Sequence, residues 1–121
     1  MIKNLVLVAI GGAAGSVLRY VVQLIITKKY PSHFPYQTLI VNIAGCLLIG
    51  LLIGYFSKNQ NDFFKLLLVT GFCGGFTTFS AFGLENITLI QNQNYLLAFQ
   101  YTLISVIFGI LAVSIGIFIS K

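Results

Sequence analysis

Four long apolar runs, at 5–26, 38–56, 66–90 and 95–120, constrain this chain more than any other feature of it. A helix crosses the roughly 30 Å hydrocarbon core of a bilayer in about 20 residues, a length each run supplies or nearly supplies. The runs at 38–56 and 95–120 hold no charged side chain, and the other two hold only Arg19 and Glu85. Polar connections at 27–37, 57–65 and 91–94 separate them, short enough to turn between antiparallel helices. A transmembrane barrel would need shorter segments of alternating character, and these are absent. Two acids and seven bases among 121 residues cannot coat a soluble domain, which carries about 25% charged side chains. A soluble enzyme, a disordered tail and a nucleic-acid binder are therefore excluded. The chain reads as a single all-α integral membrane domain, 1–121, with four transmembrane helices at about 3–27, 37–57, 63–91 and 95–120. The first apolar run resumes after its small residues, at Val21-Val22-Gln23-Leu24, so it reads as a retained span rather than a cleaved leader.

The net charge of +5 would suggest an anionic partner in a soluble protein. Here most of the bases flank apolar segments, where they anchor helix ends at the headgroups. With four spans, Lys3, Lys58, Lys65 and Lys121 fall on one side and Lys28 and Lys29 on the other, with Arg19 leaning toward the second. The count is four against two or three, a weak bias that fits two cases: ordinary insertion with a modest preference, or insertion both ways to form an antiparallel pair. Cys46 and Cys73 lie in apolar stretches without a ligand-spaced partner and read as small packing residues. His33, between Pro31 and Pro35, lies in a loop and builds no metal site alone.

Four helices can hardly enclose a polar pathway and still shield it from lipid, so polar residues within the spans must face a partner or a crevice. Gly11-x-x-x-Gly15, Gly50-x-x-x-Gly54, Gly71-x-x-x-Gly75 and Ala112-x-x-x-Gly116 permit close helix approach and favour a tightly packed homo-oligomer. Within the third run, Gly74-Gly75 followed by Thr77-Thr78 concentrates helix-weakening residues. Two readings are open. Either the helix kinks and threonine hydroxyls repair it, or it breaks and its backbone carbonyls coordinate a small cation such as Na⁺. Phe79 and Phe82, at i and i+3, share one helix face, with Phe72 and Phe76 extending the stripe. They serve lipid contact and packing, or their positive ring edges solvate a small anion with help from Ser80. Asn42 with Thr38, and Tyr101 with Ser105, sit one turn apart on their helices; they glue helices together or donate to an anion. Arg19 and Glu85 are functional candidates by location, with pairing or snorkelling as the alternative.

Taken together these motifs resemble the Fluc/CrcB fluoride channels. The similarity covers essentially the whole chain, through Gly11-Gly12-x-x-Gly15-x-x-x-Arg19-Tyr20, Thr38-x-x-x-Asn42-x-x-Gly45 and the more specific Gly71-Phe72-Cys73-Gly74-Gly75-Phe76-Thr77-Thr78-Phe79-Ser80-Ala81-Phe82. The resemblance implies a dual-topology antiparallel homodimer with two fluoride pathways. It also implies a structural Na⁺ at the dimer centre, held by the backbone carbonyls of Gly74 and Thr77. Phe79 and Phe82 match the family's phenylalanine box, Asn42 its pore asparagine, and Tyr101 and Ser105 its polar track. Thr38, Ser80 and Glu85 complete the pathway candidates, and Arg19, Gly75 and Thr78 are structural ones. Two departures, Ala81 in place of a commoner threonine and Gly109 and Val113 where hydroxyls can extend the track, bear on conduction rate. The implied activity is passive fluoride efflux across a prokaryotic cytoplasmic membrane, giving fluoride resistance without enzyme chemistry. A rival class, the small proton-coupled multidrug exporter, needs a deep carboxylate, typically in its first span. Residues 5–26 contain none, and the chain has no tryptophan to stack on a planar cation. A structural or hole-forming membrane subunit would need no ordered polar motif at all.

Overall fold

The computed structural model describes residues 1–121 and is entirely helical. Helix α1 is Ile2–Lys29 and α2 is Tyr36–Lys58. A short α3, Asp62–Lys65, leads into a π-helical stretch, Leu66–Cys73, and then into α4, Gly74–Phe76. After an interruption the chain resumes as α5, Phe79–Gln91, and ends with α6, Tyr95–Ser120. Four helical stretches are long and apolar enough to cross a membrane: Ile2–Lys29, Tyr36–Lys58, Asp62–Gln91 and Tyr95–Ser120. Only 20 of the 121 residues are buried, and most large apolar side chains lie on the outside. Such a surface suits lipid or another protein, not water.

The helices pair through their small residues. Along α1, Gly11 faces Gly71, Gly12 faces Gly75 and Gly15 faces the Phe72 and Phe76 backbone of the third span, so closely that a methyl group built on Gly75 would lie 2.9 Å from Gly12 Cα. Along α2, Gly50 and Gly54 face Val113, Gly116 and Ser120 of α6, and a methyl group on Gly116 would meet the Leu51 amide nitrogen at 2.7 Å. Membrane helices gain little from hydrophobic exclusion, so this backbone-to-backbone packing supplies much of their adhesion. The expectation that these spacings serve contacts between copies is corrected here. All four are consumed inside one protomer, because each glycine-bearing face meets another within the chain.

The third span is interrupted within Gly74–Thr78, as its sequence predicts, and the structure places the break at the end of that stretch. Gly74 is helical, with φ −61° and ψ −38°, and no glycine has positive φ. The helix stops at the threonines instead: Thr77 (φ −85°, ψ 159°) and Thr78 (φ −149°, ψ 122°) are extended. The glycines supply close approach to α1 rather than backbone freedom, while β-branched Thr77 and Thr78 tolerate the extended conformation well. The π-helical stretch ahead of the break has no counterpart in the sequence reading; π-bulges carry no residue signature and recur near functional sites.

At one end of the molecule the Lys3 ammonium lies 5.4 Å from the Phe63 ring centroid, and Lys58 Nζ donates to the Lys121 carbonyl. The N-terminus, the second connection and the C-terminus therefore share one end, and Lys28 and Lys29 occupy the other. Asn61 caps α3 by accepting the Phe64 amide at 3.2 Å. Gln93, at φ 62°, turns the chain between α5 and α6.

Candidate functional site

A helix cannot stop inside a membrane unless its freed backbone groups find partners. Here Asn42, on α2, provides them. Its Oδ1 accepts the Thr78 backbone N–H at 2.8 Å, and its Nδ2 donates to the Thr78 carbonyl at 2.9 Å. This paired contact holds Thr78 extended much as a neighbouring strand would, and it fixes which amide atom of Asn42 points where. Thr78 in turn caps the next helix, its Oγ1 accepting the Ala81 amide at 3.2 Å and lying 3.3 Å from Ser80 Oγ.

Two carbonyls bear the consequence. In a continuous helix the Thr78 amide would return to the Gly74 carbonyl and the Ala81 amide to the Thr77 carbonyl. Both amides are instead taken by side-chain oxygens, those of Asn42 and Thr78. The carbonyls of Gly74 and Thr77 are thereby released from their usual helical donors, as oxygen ligands for a hard cation would need to be. Gly74 is exposed, with open space where a side chain would stand. Thr77 Oγ1 folds back onto the Cys73 carbonyl at 2.9 Å and is not part of this set.

Beside the break lies a cavity of about 330 Å³, whose walls include Asn42, Thr77, Thr78, Phe79, Phe82 and Ser105. The N-terminus of α5 adds the positive end of a helix dipole there, and the end of α4 adds backbone carbonyls. The Phe79 and Phe82 rings are 5.7 Å apart and tilted by 37°. Phe79 is 82% exposed, so its ring stands off the protomer's surface.

Thr38, Tyr101 and Glu85 form a separate cluster. The Thr38 hydroxyl donates to Glu85 Oε2 at 2.7 Å, Gln37 Nε2 to the same oxygen at 3.2 Å, and the Tyr101 hydroxyl to Oε1 at 2.9 Å. Gln23, from α1, donates to Thr38 at 3.3 Å. Thr38 and Tyr101 are both 0% exposed. Glu85 is half-buried, and a carboxylate withdrawn from water is tolerated when its lone pairs are occupied, as these donors occupy them. The partners of Glu85 are thus neutral donors, and Arg19, half-buried on α1, is not among them. The Tyr101 ring lies 5.1 Å from that of Phe82 and joins the cluster to the cavity.

The structure thus brings Asn42, Thr77, Thr78, Phe79, Phe82 and Ser105 together at one cavity and places Thr38, Glu85 and Tyr101 in an adjoining cluster, with Arg19 in neither the cavity wall nor the cluster's hydrogen bonds. Gln23, Gln37, Cys46 and Cys73 escaped the sequence reading as site residues. The glutamines carried one signal, a side-chain amide at the edge of or inside an otherwise apolar run; the cysteines carried none.

Fold and site define a four-span integral membrane protein whose third helix is interrupted midway and held open by a side chain from the second. Discontinuous helices of this kind are where membrane proteins hold and pass ions. The chain belongs to the CrcB-like family, described as camphor resistance (CrcB), whose model matches residues 6–117. It is 49% identical over 121 aligned residues to the fluoride-specific ion channel FluC of Flavobacterium psychrophilum, with 98% of each chain covered. It is 46% identical to the protein of that name from Azobacteroides pseudotrichonymphae, covering 100% of this chain and 98% of the relative. For the one from Gloeothece citriformis the identity is 45%, over 98% of this chain and 97% of the relative.

Proposed function

We propose that this protein is a fluoride-selective channel that lets the anion leave the cytoplasm down its electrochemical gradient. The observation that carries the proposal is the cavity at the helix break, walled by Asn42, Phe79, Phe82 and Ser105. The relatives' naming as fluoride-specific channels supports this over a proton-coupled exporter. So does the site's chemistry, which offers ring edges, a helix N-terminus and hydroxyls but no cationic side chain. Conduction needs binding strong enough to admit the ion and weak enough to release it. Positive ring edges and a partial helix charge meet that need, whereas a buried lysine would hold fluoride too tightly. Ser105 and Ser80 add hydroxyl donors, and the Thr38–Glu85–Tyr101 cluster fixes the ring of Tyr101 behind Phe82.

Fluoride enters cells as neutral HF and ionises in a less acidic interior. A negative-inside potential then drives the anion out with about 2.3 kcal/mol per charge per 100 mV. No covalent step is required. The expected result is that purified protein in liposomes passes fluoride and little chloride, read with ion-selective electrodes. Phe82→Ile should slow fluoride efflux by about tenfold or more while the protein stays folded, since it removes the ring edge but keeps apolar bulk. Equal fluxes of the two halides would defeat the reading.

The working unit in this reading is an antiparallel homodimer in the cytoplasmic membrane of a prokaryote. The weak bias in positive charge, four lysines at one end against two at the other with Arg19 leaning toward them, is compatible with insertion both ways, and the projecting Phe79 ring supports a second copy beside it. A Na⁺ at the dimer centre would be held by the Gly74 and Thr77 carbonyls, whose negative ends it would neutralise. Arg19, Gly75 and Thr78 serve as structural residues. Cross-linking between cysteines placed at opposite ends should join two copies in Na⁺ buffer, in a background with Cys46 and Cys73 replaced. Links only between like ends would overturn the antiparallel arrangement.

A further inference from the structure

We propose that Cys46 and Cys73 form a two-thiol site for a soft, thiophilic metal cation on the wall of the cavity, and that filling it stops ion passage. The stopping half rests on the channel reading above; the binding half does not. The two are the only cysteines of the chain, and both are free. They come from different elements, α2 and the π-helical stretch, yet both line the cavity that Asn42, Phe82 and Ser105 also line. Cys73 is buried and Cys46 half-buried, and the cavity is the space that both border. Above Cys46, α6 presents Gly109, where even a methyl group would come within 3.6 Å of the sulfur.

Thiolates select soft ions over the hard cations that carbonyls favour. The reaction with mercuric chloride is HgCl2 + 2 RSH → Hg(SR)2 + 2 H⁺ + 2 Cl⁻. Two protons and two chlorides leave, and the product is neutral. That neutrality matters in an apolar site, where a free thiolate is disfavoured but a metal-bound one carries no net charge. The bound metal would occupy the space beside Asn42 and Phe82, so a permeating ion would be obstructed there.

The test uses the full-length protein and HgCl2, with Cys46→Ser, Cys73→Ser and the cysteine-free double variant; Cys73→Ala replaces the serine variant if that one does not fold. Intact mass should show one mercury per wild-type chain, retained in excess monothiol and removed by a dithiol. Each single variant should lose its mercury to the monothiol, and the double variant should bind none. In liposomes, HgCl2 should slow wild-type fluoride efflux by about tenfold or more and leave the double variant unaffected. Single variants that retain mercury as firmly as wild type would overturn the shared site. Full efflux with mercury bound would overturn the blocking role. An untreated wild type that passes no fluoride would instead count against the channel reading, leaving the mass result to decide the site.

Discussion

Asn42→Asp is expected to cut fluoride efflux by about 100-fold or more. The asparagine makes two bonds to one residue, accepting from the Thr78 N–H and donating to its carbonyl. Aspartate can keep the first. Its second oxygen would then face the Thr78 carbonyl, acceptor against acceptor, where a donor stood. Leaving a buried acceptor unsatisfied costs about 1–3 kcal/mol, and a carboxylate deep in a membrane helix adds about 2.5–3.5 kcal/mol. Its negative charge would also stand on the wall of an anion's path. Asn42→Ala removes both bonds without adding charge, so it should also slow efflux, but less. The measurement is electrode-recorded efflux from liposomes, with gel filtration confirming that each variant is folded. Undiminished flux in a folded Asn42→Asp protein would show that the clamp on Thr78 is not needed for conduction.

The second large effect falls on folding. Gly75→Ala should destabilise the protein by about 3 kcal/mol or more, at or beyond the upper end of ordinary overpacking. The added methyl would meet Gly12 backbone atoms, among them the Cα at 2.9 Å. A side chain could rotate away from such a contact, but a backbone held in α1 cannot. The same substitution at Gly83, which has open space around it, should leave the chain's own packing intact. Thermal unfolding in detergent and the yield of monodisperse protein distinguish the two. Equal stability of the two variants would mean that α1 and the third span are not locked together at Gly75.

Much of this arrangement was legible from residue types. The four apolar runs required four spans, because no other structure satisfies the backbone of such a sequence in hydrocarbon. Gly74 through Thr78 marked the third span as the one to be interrupted. Phe79, Phe82 and Asn42 were recognisable as candidates because their types and order are unusual inside a span. What pairs with what was not legible. Asn42 and Thr38, one turn apart on α2, read alike, as helix glue or as donors to an anion; in the folded chain Asn42 holds the Thr78 backbone while Thr38 holds Glu85.

The sequence by itself determined that the chain lives in a membrane, how many times it can cross, and roughly where the third helix yields. These follow from local chemistry: the run of side chains against the thickness of a bilayer, and the helix preferences of glycine and threonine. Only the tertiary structure decided that the yielding point is Thr77-Thr78 rather than the glycines, and that the small-residue faces close within one protomer. It alone also set Glu85 against three neutral donors. Each of these depends on which surfaces meet, and a hydrogen bond or a backbone contact between residues 36 or more positions apart has no signature in either partner alone.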